Sequence, residues 1–280
     1  MSLTLFIFLS METATVVIPI YKSTLSRGEV VSIHQTMKVV GHHGITFVCP
    51  EGLDISVYLA IGEEEGITPS FLYFSPLFFK DISGYNRLLL TESFYQSFSN
   101  YEYILICQPD AYVFKDELID WCKKGYDYIG APIIGDSEDT FFSMKMRVGN
   151  GGFSLRKIKS ALLFFQSKRN VFSPQQLIRR IDIKRKPYTR TFVFFLMMLG
   201  WRNKPRVVAK RWQYNEDDFW SGLLDDSRFA LKKPSPREAL KFSFERFPSE
   251  LYEMNNKQLS FGCHAWRKYQ YNTFWMTFIK

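Results

Sequence analysis

The chain contains no CxxC pair, no Walker loop or dinucleotide-binding glycine motif, no internal repeat and no low-complexity linker. Four widely spaced cysteines, Cys49, Cys107, Cys122 and Cys263, exclude a zinc ribbon and a dense disulfide scaffold, and fit free thiols in a reducing compartment. No apolar run approaches the roughly 20 residues that a bilayer-spanning helix needs. The first such run, Leu3 to Leu9, has no preceding Lys or Arg and no small-residue cleavage site, so it does not read as a secretory signal. Residues 1–10 are therefore read as an extension, with Met11 as an alternative start, and 11–280 as a single domain in the cytoplasm.

What is present is globular. At 280 residues, 46% apolar and 23% charged, the chain can bury a full core and is not a disordered polypeptide. Its 27 Phe, 15 Tyr and 6 Trp supply stacking surface as well as core. A net charge of +8 favours an anionic partner: a phosphate-bearing small molecule, a membrane surface or nucleic acid. Nucleic acid is not expected, because the basic residues are interrupted by apolar runs and no recognised binding module is apparent.

Along the chain, strands alternate with helices. "ATVVIPI" (14–20) reads as a buried strand, and Ser26 is an N-cap candidate for a helix ending near Gly41. "GITFVCP" reads as a second strand, and "SFLYFSPLFF" is a candidate third. "GYNRLLLTESFYQSFSNY" has the apolar face of one helix. "YEYILIC" reads as a central strand, "KDELIDWCKKG" as a helix and "YDYIGAPI" as a short strand. This order predicts an α/β domain with a mainly parallel sheet, whose ligands gather at the carboxyl ends of the strands.

Residues 157–210 differ in character and read as a helical insertion. Two basic clusters, "IKRKPYTR" and "RNKPRVVAKR", flank "TFVFFLMMLGW". That apolar stretch is either a buried helix with solvated flanks or an interfacial segment lying on an anionic membrane surface, with attachment through the Lys184 to Arg211 region at the inner face.

Four polar features carry chemistry. Asp110 ends the strand "YEYILICQPD", where a carboxylate needs a cation, a metal or open water. "VGNGGF" sets three glycines around Asn150, either a tight turn or a place of close ligand approach. "NEDDFW" sets Glu216, Asp217 and Asp218 side by side before Trp220, which fits either a general base with a raised pKa or the acidic first turn of a helix. His264, in "FGCHAW", is a structural histidine or a metal ligand.

In this order the four features resemble the nucleotide-sugar glycosyltransferases of the GT-A fold, fringe-like and β1,3-transferases in particular. The chain from about Thr15 to Trp266 is similar to a bacterial family of uncharacterised glycosyltransferase-like proteins of surface-polysaccharide gene clusters. The similarity rests on "VVIPIY", "QPDAYVF", "GNGGFSLR", "NEDDFW" and "FGCHAW". The resemblance implies a GT-A-type, Rossmann-like, mixed and mainly parallel sheet flanked by helices. It implies Asp110 and His264 as ligands of a divalent metal, manganese or magnesium, and Asp217 as catalytic base, with Asp218 as the alternative. Gln108, Asn150, Gly151, Gly152, Glu216 and Trp220 would then contact substrate. Gln108 and Pro109 depart from the fringe-like pattern, standing where those enzymes carry two acidic residues.

The implied activity is metal-dependent, inverting hexosyl transfer from a nucleoside-diphosphate sugar, a UDP-sugar foremost, to a glycan or lipid-linked glycan. The alternative is a non-catalytic module that binds a glycan or nucleotide sugar.

Overall fold

A computed structural model describes residues 12–134, 147–180 and 187–279. The expected extension at 1–10 and the basic residues Lys184, Arg185 and Lys186 lie outside the described residues. The central sheet has six strands in the order β3-β2-β1-β4-β9-β6: β1 Glu12–Pro19, β2 Ile45–Pro50, β3 Ser70–Phe74, β4 Tyr101–Cys107, β6 Tyr128–Gly130 and β9 Phe153–Lys157. The first four are mutually parallel, and β9 runs antiparallel to both β4 and β6. Helices pack on both faces, giving the mixed, mainly parallel α/β architecture expected.

Strand alternation divides the core. Val16, Ile18, Leu105 and Phe153 face one cluster, while Val17, Ile104 and Ile106 face a second on the opposite side. Burial on both faces is why β1 and β4 read as unbroken apolar runs. The helix Arg27–Val40 starts at Ser26 with a capping box: Ser26 Oγ accepts from the Glu29 N–H, and Glu29 Oε2 accepts from the Ser26 N–H at 2.8 Å.

The expected single helix around 84–101 is two short ones, Ile82–Leu88 and Glu92–Gln96. Thr91 separates them, its hydroxyl accepting from the Phe94 N–H at 3.2 Å and opening the second helix. "YDYIGAPI" likewise divides into β6 and β7 (Pro132–Ile133), the latter paired with β8 (Arg147–Val148).

A second, three-stranded sheet governs the functional end. Here β10 (Ser243–Phe244) runs parallel to β11 (Gly262–Cys263), which runs antiparallel to β5 (Tyr112–Val113). A third cluster, including Leu240, Phe244, Trp266 and Trp275, packs against it.

Among the described residues of this region lie the helices Ile158–Gln166, Pro174–Arg180, Pro187–Met198 and Pro205–Arg211, while Lys157 ends β9. The buried-helix reading of "TFVFFLMMLGW" does not hold. Phe194 and Met197 are partly buried against the second cluster, but Phe192 and Phe195 point outward. Among the described residues no helix is long and apolar enough to cross a membrane.

Candidate active site

The strand directions bring one end of the molecule together. β4 delivers Gln108, Pro109 and Asp110 at its carboxyl end, and Pro19 closes β1 beside them. Because β9 is antiparallel, its amino end, with Asn150, Gly151 and Gly152 leading in, meets the same edge; the Gln108 N–H donates to the Gly152 carbonyl at 2.9 Å. In the smaller sheet Cys263 lies opposite Tyr112 and beside Phe244, so the residues that follow and precede, His264, Ala111 and Glu245, converge. A cavity of about 610 Å3 opens here, within the size range of small-molecule sites. Gln108, Asp110, Asn150, Gly151, Gly152, Glu216, Asp217 and His264 all line it.

His264 stands at the centre of the hydrogen bonding. Its Nε2 lies 3.2 Å from Asp110 Oδ1 and 3.0 Å from Gln108 Oε1, and its Nδ1 lies 3.2 Å from Glu245 Oε1. Burial favours the neutral ring, but Asp110 and Glu245 outweigh it and push the imidazole up to about 10. Burial likewise opposes charge on Asp110, yet the His264 bond and charge hold its carboxyl below the usual range. Glu245 also accepts from Asn150 Nδ2 at 2.6 Å, and Asn150 Oδ1 accepts from the Gly152 N–H at 3.0 Å, so one network spans three segments.

Glycine is required at two of these positions by close approach. A Cβ on Gly152 would stand 2.2 Å from His264 Nε2, and one on Gly151 would stand 2.4 Å from Glu216 Oε1.

The acidic run is the first turn of the helix Glu216–Ser221, and its three carboxylates have different fates. Glu216 points inward to Arg156 and touches the cavity only as wall; the two are 5% and 2% exposed, and their bonds are bidentate. Asp217 faces the cavity, its Oδ2 accepting from the Gly151 N–H at 3.2 Å and its Oδ1 from the Asp218 N–H at 2.7 Å. Burial first, and the neighbouring Glu216 second, push its carboxyl up to about 7. Asp218 turns away to Arg147 Nη2 at 2.5 Å and does not line the cavity.

Trp220 corrects an expectation. It shares the inward helix face with Glu216 four residues earlier, is buried among Tyr95, Phe164, Phe165 and Phe219, and does not line the cavity.

Asp110 Oδ1 and Gln108 Oε1 each lie near His264 Nε2, at 3.2 and 3.0 Å, so this carboxylate, amide and imidazole could hold a divalent cation once the ring gives up its proton, with Glu245 on the far ring nitrogen as the outer partner that such a histidine usually has. Among the described residues, the group of three His, Cys, Asp or Glu donors within reach of one another is elsewhere: His42, His43 and Asp116, none of which lines the cavity. Sequence reasoning passed over Glu245, which sits in "FSFERF" without a motif, and the cavity cations Lys80 and Lys268, which depend on loops.

Fold and site together define an α/β protein with a carboxylate–imidazole cavity at the carboxyl edge of its parallel strands. The family model described as "Protein of unknown function (DUF5672)" matches residues 69–264, most of the chain, and the chain belongs to that family. No curated protein matches it in sequence. Among solved structures it is similar to mouse xyloside xylosyltransferase 1 in its apo form, with 13% identity and a TM-score of 0.49 over 90% of this chain and 97% of that one. It is also similar to core-mannan synthase A of Aspergillus fumigatus in an Mn/GDP form, with 10% identity and a TM-score of 0.37 over 80% and 77%. TarS of S. aureus shows 11% identity and a TM-score of 0.33, over 53% of this chain and 29% of that one. These are distant likenesses, and no residue role is taken from them.

Proposed function

We propose that the protein is a GT-A-type glycosyltransferase that moves a hexose from a nucleoside-diphosphate sugar, a UDP-sugar foremost, to a glycan or lipid-linked glycan of a surface polysaccharide. One observation carries the reading: a carboxylate poised to titrate at about 7, Asp217, shares a single cavity with the Asp110–His264 pair.

In this reading Asp217 takes the proton from the acceptor hydroxyl, whose oxygen forms the new bond to the anomeric carbon as the bond to the diphosphate oxygen breaks. A base with a pKa near the working pH suits that role. Attack from the face opposite the leaving group inverts the anomeric configuration. The Gly151 N–H fixes the orientation of the Asp217 carboxylate. The backbone from Asn150 to Gly152, bare of side chains at its two glycines, forms the wall on which a sugar lies. Lys80 and Lys268 line the same cavity and offset charge on the departing diphosphate. Asp110, His264 and Gln108 would hold the metal, manganese or magnesium, which when bound supplies Lewis-acid stabilisation of that diphosphate.

Gln108 and Pro109 favour a second reading, a non-catalytic module that binds nucleotide sugar or glycan. His264, bonded to Gln108 and two carboxylates, already supplies a positive charge at the cation position.

The test is a panel of nucleoside-diphosphate sugars with and without manganese, against wild type and Asp110→Ala. Metal-dependent turnover or slow hydrolysis of one donor, lost in the variant, supports the transferase. Binding without turnover in any metal state supports a nucleotide-sugar module, and no binding of any donor removes the transferase and leaves a module for glycan.

A further inference from the structure

The helix Pro187–Met198 presents its apolar residues the wrong way round for a soluble protein. Tyr188, Phe192, Phe195 and Leu199 follow one another at spacings of four, three and four, which places them in a single stripe. All four are exposed, at 70%, 64%, 60% and 83%. The other side of the helix, through Phe194 and Met197, rests on the second core cluster, so the stripe faces outward by construction.

The end of the helix is equally defined. Gly200, at φ +100°, closes a Schellman motif in which the Gly200 N–H bonds the Met197 carbonyl and the Trp201 N–H bonds the Leu196 carbonyl at 2.9 Å. That turn leaves Trp201 exposed beside the stripe, with the Arg202 guanidinium 4.1 Å from its ring centroid. An indole with an adjacent cation at the edge of an apolar face suits the headgroup layer of a bilayer.

The stretch that carries the stripe is one-sided in charge: from Ser167 to Arg211 the sequence holds thirteen Lys or Arg against one acid, Asp182, a local excess greater than the +8 of the whole chain, and among the described residues only Arg180, to Asp226, and Arg206, to Glu92, are ion-paired with acids. A pocket of about 430 Å3 is lined by Arg87, Lys210 and Arg211 with Ser83, Trp212 and Gln213, and among the described residues no carboxylate lines it. The short helix Ile82–Leu88 is shared: Ser83 and Arg87 line this pocket, while Ile82, Tyr85 and Asn86 line the cavity that holds Asp217. Two copies of so basic a face would repel one another, whereas an anionic bilayer complements both the apolar stripe and its rim.

We infer that the face formed by Tyr188, Phe192, Phe195, Leu199 and Trp201, with its basic surround, docks the protein on an anionic phospholipid bilayer. The aromatic rings enter the interface and the arginines and lysines meet the phosphates. Docking does not depend on the transferase reading. If that reading holds, docking brings the Asp217 cavity to the membrane surface, where a lipid-linked acceptor presents its sugar.

The experiment is flotation of the full chain with vesicles of phosphatidylcholine alone or mixed with phosphatidylglycerol, without donor or metal. Wild type and Phe192→Ser/Phe195→Ser are compared, and circular dichroism confirms that the variant is folded. Wild type is expected to float with the anionic vesicles only, with partition falling on addition of about 0.5 M salt. The double variant is expected to lose roughly tenfold or more, since two exposed rings no longer leave water. Wild type that stays at the bottom, or a variant that floats equally well, overturns the inference. Concentration-dependent dimers in light scattering that vanish in the variant, without flotation, assign the stripe to a second copy instead. Donor hydrolysis in vesicle-free solution is scored separately, so the two proposals fail independently.

Discussion

Arg156 on β9 and Glu216 at the head of its helix meet in a buried bidentate pair, Nη1 to Oε2 at 2.9 Å and Nη2 to Oε1 at 2.7 Å. Arg156 also donates to Ser154 Oγ at 3.0 Å, and its guanidinium lies 5.3 Å from the Tyr128 ring centroid. The pair anchors the acidic helix to the central sheet and so sets where Asp217 stands. Removing one partner leaves an uncompensated buried charge. Arg156→Met or Glu216→Gln is expected to lower stability by about 3–5 kcal/mol, measured by urea unfolding. A loss under about 1 kcal/mol would mean that water reaches the pair.

Asp217→Asn is expected to cut transfer by about 10²–10⁴ while leaving donor affinity unchanged, and Asp218→Asn to leave turnover near wild type. The pH profile of wild type should rise through about 7, because the base works only when deprotonated. A profile flat between pH 5 and 9 would remove Asp217 from that role.

The same carboxyl makes a stability prediction. Its folded pKa of about 7 exceeds the ordinary carboxyl value, so between roughly pH 4 and 7 the folded chain holds a proton that the unfolded chain has lost. This contribution is fully present below that window and is lost as pH rises through it. Asp217→Asn should therefore be more stable than wild type at pH 8, by on the order of 1–3 kcal/mol, and nearly equal to it at pH 4. Thermal melts at the two pH values decide it.

Glu245 is expected to act by positioning His264. Glu245→Gln should weaken manganese binding by about 10- to 100-fold in calorimetry, and Asp110→Ala should abolish it. Unchanged affinity in Glu245→Gln would leave Glu245 as a partner of Asn150 alone.

Gly152→Ala places a methyl group where His264 Nε2 now sits, so the ring must move. We expect donor and metal binding to be lost while stability falls by only about 1–3 kcal/mol. Retention of both would show that the 152 backbone shifts instead.

Much of the sheet was legible because its strands are buried on both faces, which turns Val16–Ile18 and Ile104–Cys107 into continuous apolar text. Ser26 was legible through its cap. The strands that build the site were not: β5, β10 and β11 have two residues each, too few for any periodicity, and β9 is masked by the glycines before it. Adjacency in sequence is not adjacency on a helix, so Trp220 reads as a cavity residue yet lies in the core. Four residues from Glu216 it follows that residue inward, while Asp217 and Asp218 diverge to cavity and surface. The insertion was ambiguous for a related reason: Phe192, Phe194, Phe195 and Met197 are equally apolar in sequence and differ only in the side of the helix they occupy.

Gln108 and His264 are 156 residues apart and are brought together by the pairing of the two-residue strands β5 and β11. A ribosome that has delivered the sheet and the acidic helix has therefore still not delivered the site. Until Gly262 to His264 emerge and pair with Tyr112 and Val113, Asp110 has no histidine partner. The His264 contacts to Gln108 and Asp110 therefore join segments from opposite ends of the synthesis, and form only after the strands of the central sheet and the acidic helix have been made.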